Sequence, residues 1–86
     1  MPPKSIELAC LGHIVRGLRA EVGLSQEALA HAADLHPNYV GGVERGERNP
    51  SFAALLKLAR GLGRRPSEVL ERLERSGEGG PPRGGS

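Results

Sequence analysis

Aromatic side chains are almost absent: Phe52 and Tyr39 are the two present, and there is no tryptophan. Surfaces that bind single strands or RNA stack unpaired bases on several rings, so this chain is better suited to a closed duplex. Cysteine is down to Cys10 alone, which cannot close an internal disulfide. The N-terminal MPPKSIELACLG has neither the apolar core nor the cleavage pattern of a signal peptide. A reducing, cytoplasmic setting is therefore expected. Long apolar runs are missing too, and nothing approaches the roughly 20 residues that span a bilayer, so no membrane partner is expected. A chain of 86 residues holds a single domain that must use its apolar residues economically.

Net charge is small, +2, and its distribution says more than its sum. Residues 36–66 carry six basic side chains (Arg45, Arg48, Lys57, Arg60, Arg64 and Arg65) against Glu44 and Glu47, a net +4, while the segments on either side are each at −1. Positive charge is concentrated where a phosphate backbone would be met, although a solvated surface has the same pattern.

What is present is helical periodicity with punctuation. After a Pro-containing arm, Ser5 is a cap for a first helix whose apolar positions Leu8, Leu11, Ile14, Val15, Leu18 and Val22 recur at helical spacing, ending near Glu21 with Gly23 as the stop. Ser25 caps a second, two-turn helix, SQEALAHAA, with Ala28, Leu29 and Ala32 inward. Asp34 tolerates the left-handed conformation that a tight turn needs. Pro37 fits the first turn of a third helix running through Tyr39, Val40 and Val43 to Arg45, with Gly46 beyond it. GERNPS is a loop by composition. Ser51 caps a fourth helix with Phe52, Leu55, Leu56, Ala59 and Leu62 on its buried side, and Pro66 starts a fifth with Val69, Leu70 and Leu73 on one face. The expected division is an arm and helix start over 1–8, one helical domain over 9–75, and a disordered Gly/Pro-rich tail over 76–86.

Two short helices joined by a three- to four-residue turn, the second opening on polar residues, form the element that places a recognition helix in the major groove. Here that element is Gln26 to Arg45. The run GLSQEALAHAADLHPNYVGGVERGERNPSFAALLKLARGLG resembles the XRE family, which includes the lambda repressor and Cro-type domains. The resemblance covers about residues 10–73. It lies in the Ser-Gln opening of the second helix, the Glu-Arg-Gly end of the third, the Asn-Pro-Ser before the fourth and the Leu-Gly that closes it. Within that family, LHPNYVGGVERGERNPS is most similar to the small, dimeric controller proteins of restriction-modification systems. The implied fold is all-α, a compact five-helix lambda-repressor-like domain with the helix-turn-helix at helices two and three.

The resemblance also implies roles. Gln26 matches a glutamine that holds a DNA phosphate, a task suited to an amide beside free helix N–H groups. His36, Pro37 and Asn38 match positions that enter the major groove. Asn38 can pair with adenine N7 and N6, worth about 1–3 kcal/mol of discrimination; His36 is suited to a base contact or to a helix cap. Tyr39, Arg45, Arg48 and Asn49 match backbone-contacting positions, with Arg48 also a candidate for a base. Arg19 and Glu44 match a pair that bridges the first helix to the end of the third. Gly41-Gly42 departs from the family pattern, in which polar or basic side chains face the groove. Glycine cannot hydrogen-bond a base edge, so the pair suggests either close backbone approach to DNA, with Gly42 at the contact, or mere tolerance.

Other chemistries find less support. Cys10, His13, His31 and His36 lack the compact ligand pairs of a structural zinc site, and Cys10 reads as a core thiol. No nucleophile–base pairing, phosphate loop or carboxylate pair can be placed, so neither an enzyme nor a cofactor is expected. The expected partners are a double-stranded operator, a second copy meeting at Val69, Leu70 and Leu73 unless those residues pack inward, and RNA polymerase. The competing reading is a helical protein-interaction module, antitoxin-like or bridging, on the same fold.

Overall fold

The computed structural model describes residues 4–76. Within them the chain forms α1 (Ile6–Val22), α2 (Gln26–Ala33), α3 (Pro37–Glu44), α4 (Phe52–Leu62) and α5 (Pro66–Ser76), with no strand among the described residues. Four of the five begin where a side chain takes up an N–H group that a helix leaves unpaired. The hydroxyls of Ser5, Ser25 and Ser51 accept from the N–H groups of Leu8, Ala28 and Ala54, each at 3.0 Å. At α3 the capping acceptor is an imidazole, His36 Nδ1, 3.0 Å from the Asn38 N–H. The turn between α2 and α3 is closed by Asp34 at φ 58°, the single non-glycine residue with positive φ among those described. Its backbone N–H donates to the carbonyl of His31 at 3.2 Å.

The core draws on every helix: Leu11, Ile14, Val15 and Leu18 from α1; Leu29, Ala30 and Ala33 from α2; Val40 and Val43 from α3; Leu58, Ala59 and Leu62 from α4; Val69 from α5. α2 lies along α4, α3 along α1, and α5 closes the far side against α1 and α4. An exposed network fastens that closure. Glu21 at the end of α1 receives Arg72 Nη1 at 2.9 Å and Arg64 Nη2 at 3.2 Å, and Arg64 also donates to Glu68 at 2.7 Å.

The burial pattern departs from the sequence expectation on several elements. Phe52 is 73% exposed rather than buried; the inward stripe of α4 is Ala54, Leu58, Ala59 and Leu62, with Leu55 packed at its edge and Leu56 half-buried. On α2, Ala32 is exposed and Ala28 half-buried, while Ala30 and Ala33 point inward. Val22 is exposed at the end of α1, and Cys10 is half-buried. Ser76 belongs to α5; the rest of the expected tail, residues 77–86, and residues 1–3 of the arm lie outside the described residues. At the start of the described chain, the Lys4 N–H donates to the Gly46 carbonyl at 2.9 Å. No helix among the described residues is long and apolar enough to cross a membrane.

α1 and α3 approach so closely that only glycine fits at position 12. A Cβ there would stand less than 3.0 Å from the backbone carbonyl oxygens of Val43 and Glu44, atoms that cannot give way without moving α3. Gly17, on the same helix, is exposed and would meet nothing within 4 Å. The two positions make a matched pair. Gly17→Ala is expected to stabilise the protein by about 0.5–1 kcal/mol through helix propensity. Gly12→Ala is expected to destabilise it by about 1–3 kcal/mol through overpacking, despite the same propensity gain. Denaturant unfolding of the two variants reads both signs.

Candidate nucleic-acid interface

The site is built around Glu44, the last residue of α3, whose side chain is fully removed from solvent. A lone buried carboxylate would be prohibitive, and this one is surrounded by donors. Arg19 of α1 reaches Oε2 with Nε at 2.6 Å and Oε1 with Nη2 at 3.1 Å, a bidentate pairing. Gln26 of α2 donates its amide Nε2 to Oε1 at 2.8 Å, and Arg16 Nε lies 3.6 Å from the same oxygen. Arg19 has a further bond, Nη1 to the Leu24 carbonyl at 2.9 Å, which ties the α1–α2 turn to the same knot. Three helices are thus pinned at one carboxylate, and the angle between α2 and α3 is set there.

Burial on its own would push the Glu44 carboxyl up. The hydrogen bonds from Arg19 and Gln26 and the charges of Arg19 and Arg16 outweigh it and hold the carboxyl below its ordinary value. At Glu21 the dominant influence is the hydrogen bond from Arg72, which lowers that carboxyl too.

Along the outward side of α3, His36 and Asn38 are exposed and Pro37 occupies the first turn. Tyr39 is half-buried against the core. Arg45 follows at the C-cap with its Nε 3.0 Å from Glu47 Oε2, an exposed pair that water and salt screen. Arg48 and Asn49 are exposed in the loop before α4, and the Arg48 guanidinium stands 5.8 Å from the centre of the Tyr39 ring. Gln26, expected to hold a DNA phosphate, is half-buried and engaged with Glu44, leaving one amide proton and its backbone N–H for that contact.

Three expectations change. Gly42 is buried beneath the Arg48 side chain, so it is not an open point of backbone approach to DNA. Val69, 1% exposed, belongs to the core, and Leu73 packs against that core; of the three residues expected at a subunit contact, only Leu70, 43% exposed, faces outward. The mid-chain basic excess is also partly engaged within the fold, because Arg64 serves Glu21 and Glu68. Sequence reasoning paired Arg19 with Glu44 but overlooked that Gln26 completes the set. The signal available was chemical: a buried carboxylate has about four acceptor sites, more than one guanidinium fills.

This architecture defines a helix-turn-helix transcriptional regulator, and the chain belongs to the XRE-type helix-turn-helix family, whose model matches residues 15–69. That family is a class of regulators rather than of enzymes. Among its relatives are the control protein C.BamHI of Bacillus amyloliquefaciens, 39% identical over 61 residues that make up 70% of this chain and 75% of that protein, and the control protein C.SmaI of Serratia marcescens, 42% identical over 62 residues, 72% and 74%. The restriction-modification controller protein C.AhdI from Aeromonas hydrophila superposes with a TM-score of 0.74 at 48% identity, covering 76% of this chain and 98% of that one. C.Esp1396I bound to a 19 base pair DNA duplex superposes with a TM-score of 0.77 at 30% identity, covering 83% and 95%.

Glu44 generates two measurable consequences. Glu44→Ala leaves the Arg19 guanidinium without its partner and is expected to cost about 3–5 kcal/mol in denaturant unfolding. Because the folded carboxyl lies below its ordinary value of 4.5, its stabilising contribution is complete above that pH and is lost as pH falls through the lower folded value. Thermal melts of wild type should therefore fall off on acidification below that ordinary value. Glu44→Gln, which removes the titrating group, should show a shallower decline.

Proposed function

We propose that the protein is a controller-type regulator that binds a double-stranded operator as a homodimer, seating α3 of each subunit in a major groove. The observation that carries this reading is the rigid α2–α3 unit, locked at Glu44, whose second helix opens on exposed His36 and Asn38 and runs into exposed Arg48 and Asn49. Asn38 is the residue suited to adenine N7 and N6. Gln26 and the N-terminus of α2 are suited to a phosphate. Asn49 and Arg45 flank the groove face, and an incoming phosphate competes with Glu47 for Arg45. Tyr39 and Pro37 shape the surface between them.

A single unit of this size reads few base pairs, so two copies on half-sites about 34 Å apart, or a multiple of that, supply the specificity. The exposed Leu70 on α5 is the residue we assign to the contact between copies. Action is by occupancy: the bound dimer blocks or recruits RNA polymerase according to where the operator lies. It works in the cytoplasm and needs no cofactor.

The test is binding to an operator enriched from random duplexes, compared with a scrambled duplex. Operator affinity should exceed scrambled affinity and fall with salt by a log–log slope of about −0.9 per phosphate neutralised; equal affinity for both duplexes overturns the reading. Asn38→Ala should relax preference at one base pair per half-site by about 1–3 kcal/mol, whereas Gln26→Ala should weaken all duplexes alike. Sedimentation should show a dimer for wild type and a shift toward monomer for Leu70→Glu.

A further inference from the structure

Arg48 is held in place by three features of α3 at once, and one of them, the seat for its stem, depends on residue 42 being glycine. The Gly42 carbonyl accepts the backbone N–H of Glu47 at 2.9 Å and of Arg48 at 3.3 Å, folding the loop back over the helix. The aliphatic stem of Arg48 then lies directly on Gly42: a Cβ built there would stand 2.6 Å from Cγ, 3.4 Å from Nε and 3.6 Å from Cδ. Beyond the stem, the guanidinium reaches the Tyr39 ring, 5.8 Å from its centre, within cation–π range. No carboxylate among the described residues forms an ion pair with Arg48, in contrast to Arg19, Arg45, Arg64 and Arg72.

We propose that Gly42 determines sequence specificity without touching DNA: it is the seat on which Arg48 lies across α3, so that an arginine from the following loop presents its guanidinium on the groove face to guanine. This rests on the operator-binding reading above. A residue at position 42 with any side chain would fill the space where the stem lies and lift Arg48 off the helix. Glycine leaves the surface of α3 open for a longer side chain supplied from outside it. The guanidinium that arrives is fork-shaped and always charged, and it suits the paired O6 and N7 acceptors of guanine in the major groove. Lying along a helix fixed at Glu44, with its tip against Tyr39, it loses less rotamer freedom on binding than an arginine extended into solvent.

The experiment measures the ratio of operator to scrambled-duplex affinity by fluorescence anisotropy, using the operator enriched by wild type, for Gly42→Ala, Arg48→Ala and the double variant. Gly17→Ala serves as the glycine control. Gly42→Ala should lower the ratio by about tenfold, within the range that one bidentate guanine contact contributes, while keeping the helical circular dichroism and cooperative melt of wild type. The double variant should discriminate no worse than Arg48→Ala, because the seat has no purpose once its occupant is gone. Enrichment with Arg48→Ala should lose a preference for guanine at one position per half-site. Should Gly42→Ala fail to fold, Tyr39→Leu removes the other support of the guanidinium, and its effect should likewise vanish in the Arg48→Ala background. An unchanged ratio in a folded Gly42→Ala protein, or losses that multiply in the double variant, would overturn the inference and leave operator binding intact. If wild type itself fails to discriminate, the underlying reading falls first.

Discussion

A single buried carboxylate organises this protein. Glu44 is the place where α1, α2 and α3 are joined by something more directional than apolar contact, and its donors come from Arg19 and Gln26 with the charge of Arg16 nearby. Hydrophobic burial brings the helices together, but it leaves them free to slide by small amounts. Hydrogen bonds to a desolvated carboxylate remove that freedom, because any displacement leaves a buried charge short of a donor. The contact also explains why the interface between α1 and α3 carries Gly12. Glu44 reaches Arg19 only if the two backbones lie close, and a methyl group at position 12 would hold them apart.

From this joint the function follows outward. α2 presents its N-terminus and Gln26, α3 presents His36 and Asn38, and the loop after α3 curls back so that Arg48 rests on the same helix. A reader of duplex DNA has to present several groups in a fixed mutual geometry, since phosphate contacts set the register in which base contacts are made. In an 86-residue chain there is little apolar mass to hold such a geometry, and polar interlocking does that work at the recognition end. At the other end, the cluster of Glu21, Arg64, Glu68 and Arg72 fastens α5 on the surface.

Much of the scaffold was legible in the sequence because the signals were local. Ser5, Ser25 and Ser51 cap helices by bonds that span three residues, Gly23 and Asp34 adopt left-handed turns by their own conformational preferences, and Pro37 sits in a first turn. The failures were non-local. FAALLKLARGL is apolar around much of its circumference, so several stripes fit its pattern, and only the position of α2 decides that Ala54 and Leu58 turn inward while Phe52 faces water. The same applies to SQEALAHAA, where alanines lie on every side. Gly12 and Gly61 are contact points, Gly12 against the backbone of α3 and Gly61 against Ala33 and Leu29. The glycine pair at 41 and 42 could not be understood from α3 alone, since what covers it comes from Arg45 and Arg48. In the candidate site, the Arg19–Glu44 pair was anticipated from resemblance, whereas the engagement of Gln26 and the burial of Val69 depend on tertiary placement.

The imidazole that caps α3 has a chemical corollary. Because His36 Nδ1 accepts the Asn38 N–H, the neutral ring carries its proton on Nε2, and the tautomer is set by the helix rather than by whatever the ring meets. The polar group that His36 turns outward is therefore a donor, which matches N7 of purines, O6 of guanine, O4 of thymine and phosphate oxygens, and opposes the amino groups of cytosine and adenine. A bond whose structural duty is to begin a helix thus fixes the polarity of the exposed side chain that opens it.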